Sequence, residues 1–382
     1  MSGARLPFFD RTRGDAALEA ELVEAFLRVV RGGHYVLGPE VEAFEAECAA
    51  FLGVPHAIGV SSGTDALLVA LMALGVGPGD EVVCPAYTFF ATAGAIARTG
   101  ARPVFADVLP GSLNLDPASA ARAITPRTRA IVAVHLFGQC AAMDEILGVA
   151  AARDLPVIED AAQAFGAAHA GRRAGGLGAL GCFSFFPTKN LGGFGDGGLV
   201  TTAAADLADR VRLLRAQGAR PKHHHVAIGG NFRLDALQAA LLRCKLPRVD
   251  QAIARRREHA AAYAGGLAAI DTGRALHLPI DPAVLLPPGH TFNQFVLRLA
   301  EPARRDALRA SLDRRGIATE IYYPTPLHLQ PCFAPLGPAP GSLPVAELAA
   351  RSSLALPIFP ELSAGDRARV LDGLAASLGA PR

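Results

Sequence analysis

Only three of the 37 lysines and arginines in this 382-residue chain are lysines: Lys189, Lys222 and Lys245. A chain that uses arginine wherever a positive charge is enough keeps a lysine where an amine must lose its proton and attack a carbonyl, which a guanidinium cannot do. Lys189 stands in SFFPTKN (184–190), where it and Ser184 bracket the end of a predicted strand ahead of a glycine-rich stretch. Upstream, PVIEDAAQA (156–164) delivers Asp160 to the carboxyl end of another strand, with Gln163 three residues on. GVSSG (59–63) and Thr64 open a predicted helix, whose first N–H groups and hydroxyls suit an anion. Phe89 follows a further strand and offers a flat face. An amine, a carboxylate, a phosphate cradle and an aromatic surface on one rim cover most of what pyridoxal 5′-phosphate (PLP) requires. The lysine would form the Schiff base and, once displaced, carry protons. The carboxylate would favour a protonated ring nitrogen by charge pairing.

The elements that must hold these groups follow from the alternation of short β-branched or aromatic runs with alanine-rich helical stretches. Strands are predicted at 57–60, 81–84, 103–107, 130–135, 156–159, 181–186 and 198–202, with helices at 64–74, 90–99, 144–153 and 206–217. The fold class is therefore α/β, a mostly parallel seven-stranded sheet covered by helices on both faces. Ligands of such sheets bind beyond the carboxyl ends of the strands. A helical passage at 234–257 is interrupted by Pro247. After it the texture changes: proline and glycine clusters at 281–289 and 331–344, a strand within 292–299, a helix at 304–316. These features divide the chain into a large cofactor-binding domain, 1–247, and a smaller α+β domain, 248–382.

Composition removes several rival classes. With 51% hydrophobic and 19% charged residues the chain is not disordered, and a net charge of +2 gives no footprint for nucleic acid. Charges at Arg5, Asp10, Arg11 and Arg13 leave no room for a secretory apolar segment, and the longest uncharged run, 82–97, is too short to span a membrane. The expected location is the cytoplasm. Six scattered cysteines form no CxxC pair, and PKHHH (221–225) cannot turn three adjacent histidines onto one ion, so no metal is expected. GLGALG (176–181) and GFGDGG (193–198) spell a dinucleotide fingerprint, yet both lead into strands instead of opening helices. GVSSG also spells a nucleophile elbow with Ser61, for which Asp160 and His290 or His328 would complete a hydrolase triad.

The sequence resembles the DegT/DnrJ/StrS sugar aminotransferases, of the aspartate aminotransferase-like fold type I. The resemblance runs through YVLGPEVEAFE (35–45), GVSSGTDAL (59–67), GPGDEVVCPAYTF (77–89), VIEDAAQAFGA (157–167), GALGCFSFFPTKNLGGFGDGGLV (178–200), NFRLDALQAA (231–240) and YYPTPLHLQP (322–331). It implies Lys189 as the cofactor-bearing amine, Asp160 on the pyridinium nitrogen, Gln163 near the ring hydroxyl and Phe89 on the ring face. Gly63, Thr64 and Ser184 would hold the phosphate, joined by Asn231 from the other subunit of a homodimer whose active site lies at the interface. Arg233, Tyr322, Tyr323 and His328 are the substrate-side candidates, Arg233 by its fork geometry toward a diphosphate. The pattern departs from the family's commoner residues at Phe232 and Tyr322. The implied reaction moves an amino group from L-glutamate, leaving 2-oxoglutarate, to a nucleotide-linked ketosugar, through the pyridoxamine (PMP) form of the cofactor. The preferred substrate is a 3-keto sugar on dTDP or UDP. The alternatives are an aminocyclitol aminotransferase and a non-catalytic PLP-binding regulator. A PMP-dependent dehydratase is disfavoured because Lys189 is present.

Overall fold

The computed structural model describes residues 4–378 apart from 11, 14–15, 271–275, 277–285 and 337–338. Among the described residues eleven strands are assigned: β1 His56–Val60, β2 Glu81–Pro85, β3 Arg102–Ala106, β4 Thr128–Val134, β5 Val157–Asp160, β6 Ala168–His169, β7 Arg172–Arg173, β8 Leu180–Ser184, β9 Gly198–Thr202, β10 Phe295–Arg298 and β11 Ser353–Leu356. Seven of them form one sheet in the order β1-β9-β8-β5-β4-β2-β3. Only β9 runs against its neighbours, pairing antiparallel with β1 and β8. All seven predicted strands of the sheet are present, and each is a nearly continuous apolar run because helices cover both faces.

Alternate side chains of these strands feed different cores. Val82, Cys84, Val132, Ile158 and Val200 pack with α3 (Gly63–Ala73) and α7 (Ala205–Arg215). Val83, Ile131, Ala133 and Val157 turn the other way, against Met143 and Ile146. Toward the β1 edge, Ala57, Phe183 and Leu199 meet Phe44 and Cys48 of the helix Pro39–Leu52 and Leu242 of Ala236–Lys245.

Beyond residue 245 the chain makes one 3-10 turn, Leu246–Arg248, before the long helix Val249–Ala269. Pro247, which has no N–H to donate, explains the break expected in the 234–257 passage. β10 pairs antiparallel with β11, and together with helices Arg305–Arg314 and Ala364–Leu378 they enclose a separate core of Leu297, Leu308, Leu312, Leu356 and Leu374. β10 is shorter than the predicted 292–299. Phe292 adopts a left-handed conformation, φ 48°, and Thr291 donates its N–H to the Gly138 carbonyl at 2.9 Å, so the chain docks on the large sheet's loops before it enters the strand. Parts of the two proline and glycine clusters, 281–285 and 337–338, lie outside the described residues.

Candidate active site

β5 ends on Asp160, β8 ends on Ser184, and α3 begins at Gly63 just after β1, so three neighbouring chain reversals share the carboxyl rim of the sheet. Two of them touch. A Cβ added to Gly63 would lie 2.6 Å from the Ser184 Cβ, so the α3 start is pressed against the end of β8 and only a glycine fits there. Ser62 caps the helix, accepting from the Asp65 N–H at 3.0 Å, and both Ser61 and Ser62 donate their hydroxyls to the Asp65 carboxylate. Thr64, the next hydroxyl along, makes no side-chain hydrogen bond among the described residues. Gly63→Ala is expected to keep the fold but weaken PLP binding about tenfold or more, since overpacking of about 1–3 kcal/mol falls on the cradle itself. Equilibrium dialysis of the cofactor measures it.

The amine and the carboxylate sense each other. Burial pushes the Lys189 amine down to about 8, and the charge of Asp160 opposes that shift. Its Nζ has no hydrogen bond or ion pair among the described residues. Burial in turn raises the Asp160 carboxyl, against a 2.7 Å hydrogen bond from Thr92 Oγ1, a 3.2 Å one from the Ala162 N–H, and the charge of Lys189. An amine titrating near 8 is about one-tenth neutral at pH 7, whereas an ordinary lysine is neutral less than about once in a thousand. The rate of PLP uptake by the apoprotein should therefore rise about tenfold per pH unit below 8 and level off above it. Stopped-flow absorbance against pH reads this directly; a rate still climbing steeply past pH 9 contradicts it.

Gln163 is fixed by its surroundings. Its Oε1 accepts from the Phe137 N–H at 2.7 Å, so its amide nitrogen faces outward and donates to the Tyr323 hydroxyl at 2.9 Å. Phe137 makes that bond from a left-handed backbone, φ 59°, a strained conformation of the kind kept at functional sites. Phe89 is 57% exposed, with its ring tilted toward Tyr323 at 6.2 Å. Tyr322 packs between Phe8 and Phe137, and its backbone carbonyl accepts from the Tyr87 hydroxyl.

The other candidates are placed differently. Arg233 pairs with Val60, the last residue of β1, across an isolated bridge, and its Nε is buried with no hydrogen-bond partner among the described residues. Asn231, two residues earlier, is exposed, and its side chain bonds to nothing among the described residues of its own chain. His328 is not brought to the open rim: it is buried, facing Phe105, with Nε2 3.3 Å from Glu347 Oε1. The serine hydrolase arrangement is absent among the described residues. Ser61 bonds Asp65, and His290 is stacked on Phe292 with its Nδ1 taking the Phe292 N–H.

The glycine-rich GLGALG has a use that sequence reasoning missed. The N–H groups of its Leu177 and Gly178, with that of Gly175 just before it, donate to the buried carboxylate of Glu159, at 2.8, 2.7 and 2.7 Å. The loop that spells a pyrophosphate site instead wraps an anion of the protein's own. Neighbouring residues of one strand thus divide the work: Asp160 serves the rim, Glu159 the interior.

The residues fit PLP: a glycine cradle that a Cβ would fill, a depressed amine without a partner, and a carboxylate held beside it. The profile of the DegT/DnrJ/EryC1/StrS aminotransferase family matches residues 16–375. The chain belongs to this family. Family members of known structure include DesV of Streptomyces venezuelae, solved with a ketimine intermediate, which superposes with a TM-score of 0.92 at 45% identity over the full length of both chains. The dTDP-3-amino-3,4,6-trideoxy-alpha-D-glucose transaminase of Streptomyces venezuelae is 46% identical over 370 residues, 97% of this chain and 95% of that protein. A family member from Geobacillus stearothermophilus, named a pleiotropic regulatory protein, is 44% identical over 375 residues, 97% of this chain and 98% of that protein. The chain is accordingly a PLP-dependent aminotransferase of fold type I. No helix among the described residues is long and apolar enough to cross a membrane.

Proposed function

We propose that this enzyme transfers the amino group of L-glutamate to a nucleotide-linked ketosugar, a 3-keto sugar on dTDP or UDP, and that it does so in the cytoplasm as a homodimer. The observation that carries the reading is the Lys189 amine, depressed by burial and without a hydrogen bond, facing an Asp160 that is itself held by Thr92. The names of similar proteins, dTDP-amino-sugar transaminases and a UDP-N-acetyl-3-dehydro-alpha-D-glucosamine 3-aminotransferase of Acidithiobacillus ferrooxidans, support the substrate class.

When bound, PLP supplies an electron sink that makes the proton on the substrate's amine-bearing carbon removable. Lys189 Nζ, brought to about 8, would take that proton in the first half of the reaction and, in the second half, deliver a proton to the ketosugar carbon that becomes amine-bearing. Asp160 keeps a negative charge where the ring nitrogen must stay protonated. Gly63, Thr64 and Ser184 would bind the phosphate and Phe89 would cover one face, while Gln163 offers its amide nitrogen beside Tyr323. Arg233, Tyr322 and Tyr323 would meet the nucleotide sugar on the open side, with His328 supporting them from behind. The lobe of residues 1–247 carries the cofactor side, and 248–382 the second wall.

A dimer is supported by a stripe of exposed apolar side chains, Val23, Phe26 and Val30, on helix Ala16–Gly32, continued by Tyr35 and Val36. Asn231, unused within its own chain, would reach the partner's phosphate. The test is to load the enzyme with L-glutamate and offer dTDP-, UDP- and GDP-linked ketosugars, with mass spectrometry of the products. A 3-amino sugar on dTDP or UDP is expected. If no sugar or cyclitol is aminated and no 2-oxoglutarate appears, the regulatory reading is favoured instead.

A further inference from the structure

Asp160 is 5% exposed at the base of the site, and a carboxylate this deep is driven toward its neutral form unless donors hold the charge. Its donors are few. Among the described residues, Oδ1 accepts only the 3.2 Å bond from the Ala162 N–H, and Oδ2 accepts the 2.7 Å bond from Thr92 Oγ1. Thr92 lies in the first turn of α4 (Ala91–Arg98), on a different part of the chain, and is 1% exposed. Behind it, 3.2 Å away and 3% exposed, is the hydroxyl of Thr88. An ionised carboxylate can only accept, so the Thr92 proton must point at Asp160. The Thr92 oxygen is then left to accept from Thr88. The three groups form one polarised chain, Thr88 to Thr92 to Asp160, buried throughout, in which each bond strengthens the next.

We propose that Thr92 is a positioning residue of the transamination: its hydroxyl, backed by Thr88, holds Asp160 in place as an anion. The inference rests on the aminotransferase reading and deepens it. Lys189 also supports the charge, but only while its amine is protonated and uncommitted; once that nitrogen is engaged by the cofactor, the hydroxyl chain remains. Other ionisable groups face Asp160. His135 has both ring nitrogens committed, to Glu159 and to the Ala141 N–H, whereas Cys182 and Tyr323 are kept neutral by burial first and by the Asp160 charge in addition. Glu159, the neighbour in sequence, is occupied by its own ring of donors. None of these replaces the direct bond.

The test compares Thr92→Val, nearly isosteric, with Thr92→Ser, which keeps the hydroxyl, and with Thr88→Val, which removes its support. One readout needs no turnover: the pH titration of the Asp160 side-chain carbon by NMR in the apoprotein, assigned by its loss in Asp160→Asn. The second is the PLP dissociation constant. Thr92→Val should raise the titration midpoint by a unit or more and weaken PLP about ten- to a hundredfold, the size of a hydrogen bond to a charged group. The acid limb of kcat/KM should move upward with it. Thr92→Ser should return all three to near wild type, and Thr88→Val should move them in the same direction by less. An unmoved midpoint in the valine variants, or a serine variant that restores nothing, overturns the inference while wild-type transamination persists. If Thr92→Val does not fold, Thr88→Val decides alone. A wild type that takes up no PLP would overturn the underlying reading, and the inference with it.

Discussion

Lys189→Ala should lower turnover by at least about a thousandfold, the upper range for a proton-transferring group that also acts as nucleophile. The variant should still bind PLP, because Gly63, Thr64 and Ser184 remain, but borohydride reduction should no longer fix the cofactor to the peptide spanning 184–190. Lys189→Arg separates two roles the lysine plays. A guanidinium keeps a positive charge beside Asp160 yet cannot give up its proton near neutrality. If charge alone mattered, arginine would rescue. The depressed amine argues otherwise, since burial has brought it to about 8, within reach of its neutral form. Arginine should therefore be as inactive as alanine in a single-turnover reaction with L-glutamate. An arginine variant keeping more than about a hundredth of the wild-type rate would assign the residue an electrostatic task instead.

The elements that carry the candidate cofactor residues were legible in the sequence because these residues stand at strand ends or helix starts, where local pattern is strongest. Asp160 closes a run of buried apolar residues, Ser184 closes another, and Gly63 opens a helix. The direction of β9 was not legible. GLVTT is buried on both faces and reads the same whichever way it runs. Thr92 was not singled out because its bond to Asp160 joins positions 68 residues apart, although Thr88 and Thr92, four apart and just after a strand, were a signal that polar groups were being turned inward together. The burial of His328 was not legible either. Its neighbourhood in YYPTPLHLQP suggests substrate, while the acid that holds it, Glu347, lies on a later helix, Pro344–Ser352. GLGALG has anion-binding N–H groups at Leu177 and Gly178, but the anion is the protein's own Glu159.

That anion is the basis for the largest expected effect on stability. Glu159 is fully buried, yet its two oxygens accept four hydrogen bonds: Leu177 and Gly178 N–H on Oε1, Gly175 N–H and His135 Nε2 on Oε2. His135 can donate because its other ring nitrogen, Nδ1, is occupied as an acceptor by the Ala141 N–H at 3.0 Å, which fixes the tautomer. Burial pushes the Glu159 carboxyl up, but His135 and the loop N–H groups outweigh it and hold the group below its ordinary value. In Glu159→Gln one oxygen becomes an NH2 group aimed at donors, which leaves one or two buried N–H groups without an acceptor. A loss of about 3–5 kcal/mol is expected, the range for breaking one side of a buried charged network. The sign with pH follows from the lowered folded-state value: the contribution is fully present above the unfolded glutamate's ordinary value of about 4.3 and disappears as pH falls through the folded one. Wild type and variant should therefore differ most in urea midpoint near neutral pH and converge below about pH 4. Because β5 carries Glu159 and Asp160 side by side, melting this loop should also release the cofactor, so PLP loss and unfolding should coincide in the variant. Cofactor release well before unfolding would mean the two faces of the strand are not coupled.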